Sequence, residues 1–153
     1  MKTAIIVQAR SNSKRFPKKI FYKIGNKSIL EHVIYRVKKV KFKKVVIIAT
    51  TKKKTDKKVI KYAKKNNCLF YAGSENNVLE RFYKTAKKFK IENLVRVSAD
   101  SPFIDPRIIE KAYKIYKNGK YDYVSNIINS SYPKGMSVEF FNFKSIETAH
   151  NSA

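Results

Sequence analysis

Gln8-Ala9-Arg10-Ser11-Asn12-Ser13-Lys14-Arg15-Phe16-Pro17-Lys18-Lys19 follows directly on the apolar run Ala4-Ile5-Ile6-Val7. A buried strand that opens into a basic, small-residue loop and then a helix gathers backbone N–H groups and cations around one point, which suits a triphosphate. Arg10, Arg15 and Lys19 bring three positive charges to it, and Pro17 stiffens the loop's exit by fixing its own φ. The same composition also describes a solvated basic loop in a very basic protein, so the context of the segment has to decide between them.

Asp100 is the strongest single candidate for chemistry. It comes just past Val95-Arg96-Val97-Ser98-Ala99, at the tip of a second apolar run, and is followed by Ser101-Pro102. A carboxylate there, beside a phosphate loop, is placed to hold Mg²⁺ against phosphate oxygens, because magnesium prefers one or two carboxylates plus substrate oxygens. The alternative is a turn aspartate that satisfies its own backbone. Gly73-Ser74-Glu75-Asn76-Asn77-Val78-Leu79-Glu80-Arg81 is a glycine turn entering a helix. It reads either as a nucleotide-contacting loop with Arg81 one turn in, or as an ordinary connection capped by Asn76 or Asn77 with Arg81 solvated. Glu139 alternates with Val138 and Phe140 and faces either a cleft or the polar side of an edge strand. His32, His150 and Cys68 stand without partners at ligand spacing. No Ser-His-Asp order, G-x-x-x-x-G-K or G-x-G-x-x-G is present, so triad, Walker-loop and dinucleotide chemistry have no support.

These residues need a scaffold, and the periodicity supplies one. Thr3–Val7, Val45–Ala49, Cys68–Tyr71 and Leu94–Ser98 read as buried strands, with Tyr121–Ser125 and Ser137–Phe143 as two more. Between them lie helices: one capped by Ser28 with Glu31 completing a capping box, one capped by Thr55, one over Asn77 to Phe89, and one opened by Asp105-Pro106. A last helix is expected to start at Ser145. Continuous apolar strands alternating with helices predict an α/β fold with a mainly parallel sheet covered on both faces. Ligands of such sheets bind at the carboxyl ends of the strands, where strand order reverses. Gln8–Lys19, Thr50-Thr51, Gly73–Asn77 and Asp100 all fall on that edge.

Composition sets the bounds. The 153 residues form one domain of ordinary size, 43% hydrophobic and 13% aromatic, which is globular. The net charge of +24 points toward polyanions, yet 29 of the 35 basic residues are lysine and 6 are arginine, whereas base reading favours arginine. The lysines are spread along the chain, and with twelve asparagines and no tryptophan they fit a lysine- and asparagine-rich proteome better than a nucleic-acid site. A lone Cys68 excludes an internal disulfide, and the short apolar run after Met1 is neither a signal peptide nor a membrane span, which points to the cytoplasm.

Taken in order, Gln8-Ala9-Arg10…Arg15-Phe16-Pro17-Lys18-Lys19, Leu30-Glu31-His32, Ala49-Thr50-Thr51, Gly73 to Arg81, Val95 to Pro106, Asp122 to Asn126 and Tyr132-Pro133-Lys134-Gly135 resemble the cytidylyltransferases of acylneuraminate and 3-deoxy-manno-octulosonate activation. The branch named for spore coat polysaccharide biosynthesis is the most similar. The resemblance implies a single nucleotidyltransferase domain over 1–153 with a Rossmann-like nucleotide-diphospho-sugar transferase fold. It implies transfer of CMP from CTP to an acidic sugar or related precursor, with pyrophosphate release and Mg²⁺. By position Arg10 and Lys19 would hold the triphosphate with Arg15 assisting, and Asp100 the metal. Gln8, Ala9, Thr50, Gly73, Asn77 and Arg81 would meet the nucleotide.

Three departures from the family pattern stand out. Asn12 and Lys18 replace commoner glycines, and lysine tolerates a left-handed backbone poorly. Ser137 stands where relatives often have aspartate, which leaves Glu139 as the remaining second metal carboxylate. The chain also stops within a helix where relatives continue, so a C-terminal truncation is expected, with a homodimer in the full-length form. A non-catalytic nucleotide-binding relative, or a basic nucleic-acid-binding module, are the rival readings.

Overall fold

The computed structural model describes residues 1–13 and 16–153; Arg15 lies outside the described residues. In chain order the elements are β1 (Thr3–Gln8), a small ribbon of β2 (Lys23–Ile24) and β3 (Lys27–Ser28), α1 (Ile29–Lys38), β4 (Val45–Thr51), α2 (Lys57–Lys65), β5 (Leu69–Gly73), α3 (Val78–Phe89), β6 (Asn93–Ser98), α4 (Pro106–Lys117), β7 (Tyr123–Ser125), β8 (Glu139–Asn142) and α5 (Phe143–Asn151). The main sheet runs β5-β4-β1-β6-β8-β7. Its first four strands are parallel, whereas β8 lies antiparallel to both β6 and β7.

The apolar runs are continuous because both faces of the sheet are covered. Ile5, Val7, Ile48, Val95 and Val97 pack beneath Leu30 and Val33 of α1, Val59 of α2 and Ile109 of α4. Ala4, Ile6, Ile47, Ala49 and Leu94 face the other way, toward Phe82 and Ala86 of α3 and Ile146 of α5. The chain leaves central β1 for β4 and β5 on one side, then returns to place β6 on the other. Strand order therefore reverses at β1, with Gln8 in register with both Ala49 and Ser98.

Several starts follow the expected chemistry. Ser28 caps α1 in a full capping box, its hydroxyl accepting from Glu31 N–H at 3.2 Å while Glu31 Oε2 accepts from Ser28 N–H at 2.9 Å. Asn77 accepts from Glu80 N–H at 2.8 Å, and Asp105 accepts from Arg107 N–H at 2.8 Å ahead of Pro106. Two starts differ. Thr55 lies within a short 3₁₀ turn and α2 begins only after Asp56, whose carboxylate is engaged elsewhere and does not cap the helix. The last helix is capped by Asn142, not started at Ser145: Ser145 N–H and Oγ both donate to Asn142 Oδ1, at 2.7 and 2.9 Å. The two late strands are also shorter than the apolar pattern suggests.

β8 is fastened by Phe140, fully buried, with its ring 4.5 Å from Tyr116 and 5.8 Å from Tyr113 of α4. Truncating such a side chain removes its burial and leaves a cavity, so Phe140→Ala should cost about 3–5 kcal/mol in denaturant unfolding. A cost below about 1 kcal/mol, the range of a surface change, would show that β8 is held by backbone pairing alone.

Candidate active site

Asp100 follows β6, and Ala99 N–H donates to Gln8 C=O at 3.0 Å, which keeps the tips of β1 and β6 together. The Asp100 carboxylate accepts from Ser98 Oγ on one oxygen and from Lys19 Nζ on the other. The Lys19 and Asp100 side chains are 29% and 35% exposed, so the pair is neither sealed nor fully hydrated and a ligand can reach it. Burial raises the Asp100 pKa, but hydrogen bonds from Lys19 and Ser98 together with the lysine charge outweigh it, holding the carboxyl below its ordinary value. Lys19 thereby bridges from the first loop to the tip of β6.

The loop that delivers Lys19 is anchored at Ser11. Lys18 N–H donates to Ser11 C=O at 2.8 Å, and Lys18 adopts the left-handed backbone, φ 59°, despite its side chain, so the loop keeps the conformation a glycine would take there. Ser11 N–H and Oγ donate to Asp56 Oδ1 at 2.7 and 2.6 Å, while Thr51 Oγ1 donates to Asp56 Oδ2. Asp56 is only 1% exposed. Sequence reasoning passed over it, although a single acid among Lys52, Lys53, Lys54, Lys57 and Lys58 was a usable signal.

Arg81 is fully buried, which excludes the solvated alternative. One guanidinium nitrogen donates to Ser74 C=O; Nε and Nη2 have no partner among the described residues. Burial pushes its pKa down, the nearby charge of Arg10 adds to that, Asp56 opposes it, and Arg96 again lowers it. Arginine stays charged through such a shift. Gly73 makes room for this side chain: a Cβ there would come within 2.7 Å of the Tyr71 ring and 3.1 Å of Arg81 Cγ. Thr50 Oγ1 is likewise buried without a partner among the described residues.

On the other side of Asp100 opens a cleft of about 530 Å³, lined among others by Arg96, Ser98, Ile127, Ser137 and Glu139. Glu139 does face it, and its carboxylate receives Arg96 Nη1 at 3.0 Å and Tyr123 Oη at 2.8 Å. Gln8, Ala9, Arg10, Lys19, Thr50, Gly73, Arg81 and Asp100 thus share the carboxyl edge of the parallel strands. Ala9 is buried, with its N–H bonded to Ala49 C=O at 2.9 Å, and Asn77 spends its side chain capping α3. Among the described residues no three His, Cys, Asp or Glu side chains group to hold a metal on their own. Asp100, Ser98 and Glu139 nevertheless border one cleft with hard oxygen donors, which fits Mg²⁺ completed by substrate oxygens. His32 and His150 are accounted for by packing, through Ile24 C=O at 2.8 Å and a stack on Tyr83 at 4.3 Å.

Comparison with known proteins agrees with this architecture. A sequence profile described as Cytidylyltransferase matches residues 4–153. The chain is 36% identical to an uncharacterised protein of Methanocaldococcus jannaschii, covering 100% of this chain and 62% of that protein. It is 30% identical to the spore coat polysaccharide biosynthesis protein SpsF of Bacillus subtilis over 79% of this chain and 53% of the other. The structure of a cytidylyltransferase from Leptospira borgpetersenii superposes with a TM-score of 0.94 at 32% identity, covering 100% of this chain and 65% of that one. A CMP:2-keto-3-deoxy-manno-octonic acid synthetase complexed with CTP shares the fold, with a TM-score of 0.76 at 16% identity and coverage of 99% and 78%. The chain therefore spans between about half and two thirds of the length of the first two relatives. On the profile match over residues 4–153, this chain belongs to the cytidylyltransferase family.

Proposed function

We propose that this chain binds CTP along the carboxyl edge of β1, β4, β5 and β6 and forms the nucleotide half of an enzyme that transfers CMP to an acidic sugar or related polysaccharide precursor, releasing pyrophosphate. The observation that carries the reading is the Lys19–Asp100 pair at the point of strand reversal, in a chain of this family. Nucleotidyl transfer needs an attacking oxygen in line with the α-phosphorus and a neutralised leaving group, so positioning and charge dominate over covalent work by the protein. Lys19 and Arg10 would meet the phosphates, with Arg15 assisting. Arg81, with two donors unpartnered among the described residues, would meet the nucleoside beside Gln8, Ala9, Thr50 and the Gly73–Asn77 turn.

Asp100, with Glu139 as a second carboxylate, would hold Mg²⁺, which when bound supplies further charge neutralisation on the phosphates. In the loaded site Lys19 would meet a phosphate and Asp100 the metal in place of their present pairing. The cleft beside Asp100 would take the acceptor, with Arg96 and Lys134 lining it as cations suited to an acidic group. A cytoplasmic enzyme that pairs as a homodimer completes the proposal. No helix among the described residues is long and apolar enough to cross a membrane.

Lys19→Ala removes a charged hydrogen bond worth about 1.5–3 kcal/mol to a phosphate, so CTP should bind roughly 10- to 100-fold more weakly in a calorimetric titration. Parent-like affinity would remove Lys19 from the phosphate site. Asp100→Asn keeps the shape and loses the charge. Its partly exposed ion pair is worth on the order of 1 kcal/mol of stability, whereas magnesium-dependent pyrophosphate release from CTP and an acidic-sugar panel should fall by about 10²-fold or more. An unchanged rate across a magnesium titration would return Asp100 to the role of a turn residue.

A further inference from the structure

Asp56 is a buried carboxylate with no place in the chemistry above. Sequestering a charge is costly unless hydrogen bonds compensate it, and this one is compensated by groups from two loops of the site. Ser11 N–H and Oγ approach one oxygen at 2.7 and 2.6 Å, and Thr51 Oγ1 binds the other. At the N-terminus of α2 a carboxylate would ordinarily cap the helix, but here the side chain makes no cap bond. It turns inward to Ser11.

Ser11 has a second role, because its C=O accepts the Lys18 N–H that closes the basic loop one residue before Lys19. Two hydrogen bonds thus tie Asp56 through Ser11 to Lys18, whose chain neighbour Lys19 is paired with Asp100. Asp56 also opposes the positive neighbours of buried Arg81, whose guanidinium feels Arg10 and Arg96 as like charges. Resting on the nucleotide reading above, we infer that Asp56 is a positioning residue for the nucleotide. Its carboxylate pins Ser11 to the tip of β4, so that the loop presents Lys19 in one arrangement before the ligand arrives. Preorganisation of this kind acts on affinity by cutting the cost of ordering the loop.

The test compares Asp56→Asn and Asp56→Ala with the neighbouring exposed Thr55→Ala in the full chain, reading CTP affinity by calorimetry, melting temperature, and amide exchange at Ser11 and Lys18. Asparagine still offers one oxygen to Ser11 N–H but loses the charge, so CTP should bind about 10-fold more weakly, the worth of one charged hydrogen bond. Alanine offers nothing; CTP should bind at least about 100-fold more weakly on the same scale, with faster exchange at both amides. Thr55→Ala should match the parent in every readout. Should the alanine variant not fold, the asparagine variant and Thr51→Val, which removes the other anchor of Asp56, carry the comparison, each with weakened affinity expected. Lower melting temperatures with parent-like CTP affinity in the folded proteins would overturn the inference and leave Asp56 a purely structural group. Faster exchange at Ser11 and Lys18 in a chain whose parent does not bind CTP would support the anchor and overturn the nucleotide reading instead.

Discussion

Everything in the site depends on β1 being paired on both sides at once. Its register with β4 and β6 puts Gln8 opposite Ala49 and Ser98, and two backbone bonds past the strand ends, Ala9 N–H to Ala49 C=O and Ala99 N–H to Gln8 C=O, carry that alignment into the loops. A slip of one residue would turn each strand's buried faces over and move every loop on the edge. Burial on both faces forbids such a slip, since Ile5 and Val7 serve one core and Ala4 and Ile6 the other. The rigidity of the edge is thus a consequence of core packing rather than of anything in the loops.

Charge is distributed over that edge unevenly. Lysines coat the solvated surface, while Arg10, Arg81 and Arg96, three of the six arginines, lie close enough for Arg81 to feel the other two. Arginine keeps its charge when buried and presents a planar set of donors, which suits a site where positive charge must be held out of water. Carboxylates are placed selectively: Asp100 takes Lys19, Glu139 takes Arg96, and Asp56 is bonded to Ser11 and Thr51. Arg81 retains two buried donors without partners among the described residues. Buried unpaired donors are costly in a folded protein, and a ligand acceptor is the economical way to satisfy them.

The antiparallel pair β8 and β7 extends the sheet beyond β6 and makes the second side of the site. Phe140 fixes β8 from below through the α4 aromatics, and Glu139, next to it, points into the cleft by simple alternation. Stability and site geometry are coupled there, because the residue that anchors the strand and the residue that lines the cleft are adjacent on one short element.

From residues alone, the alternation of apolar runs with amphipathic helices, the caps at Ser28, Asn77 and Asp105, and the basic loop after β1 were legible, because each is set by local chemistry or short-range periodicity. The order of polar clusters also told which edge mattered. Other features needed the fold. Asp56 is forty-five positions from Ser11, and no local rule distinguishes it from a helix cap until the two loops are side by side. The pairing of Lys19 with Asp100 spans eighty-one positions and exists only because β6 lies next to β1. The burial of Arg81 against Gly73 depends on how α3 sits on β5. Local propensity and pattern determine which segments form strands and helices; long-range packing decides which charges meet, since that is a matter of strand order, which periodicity does not encode.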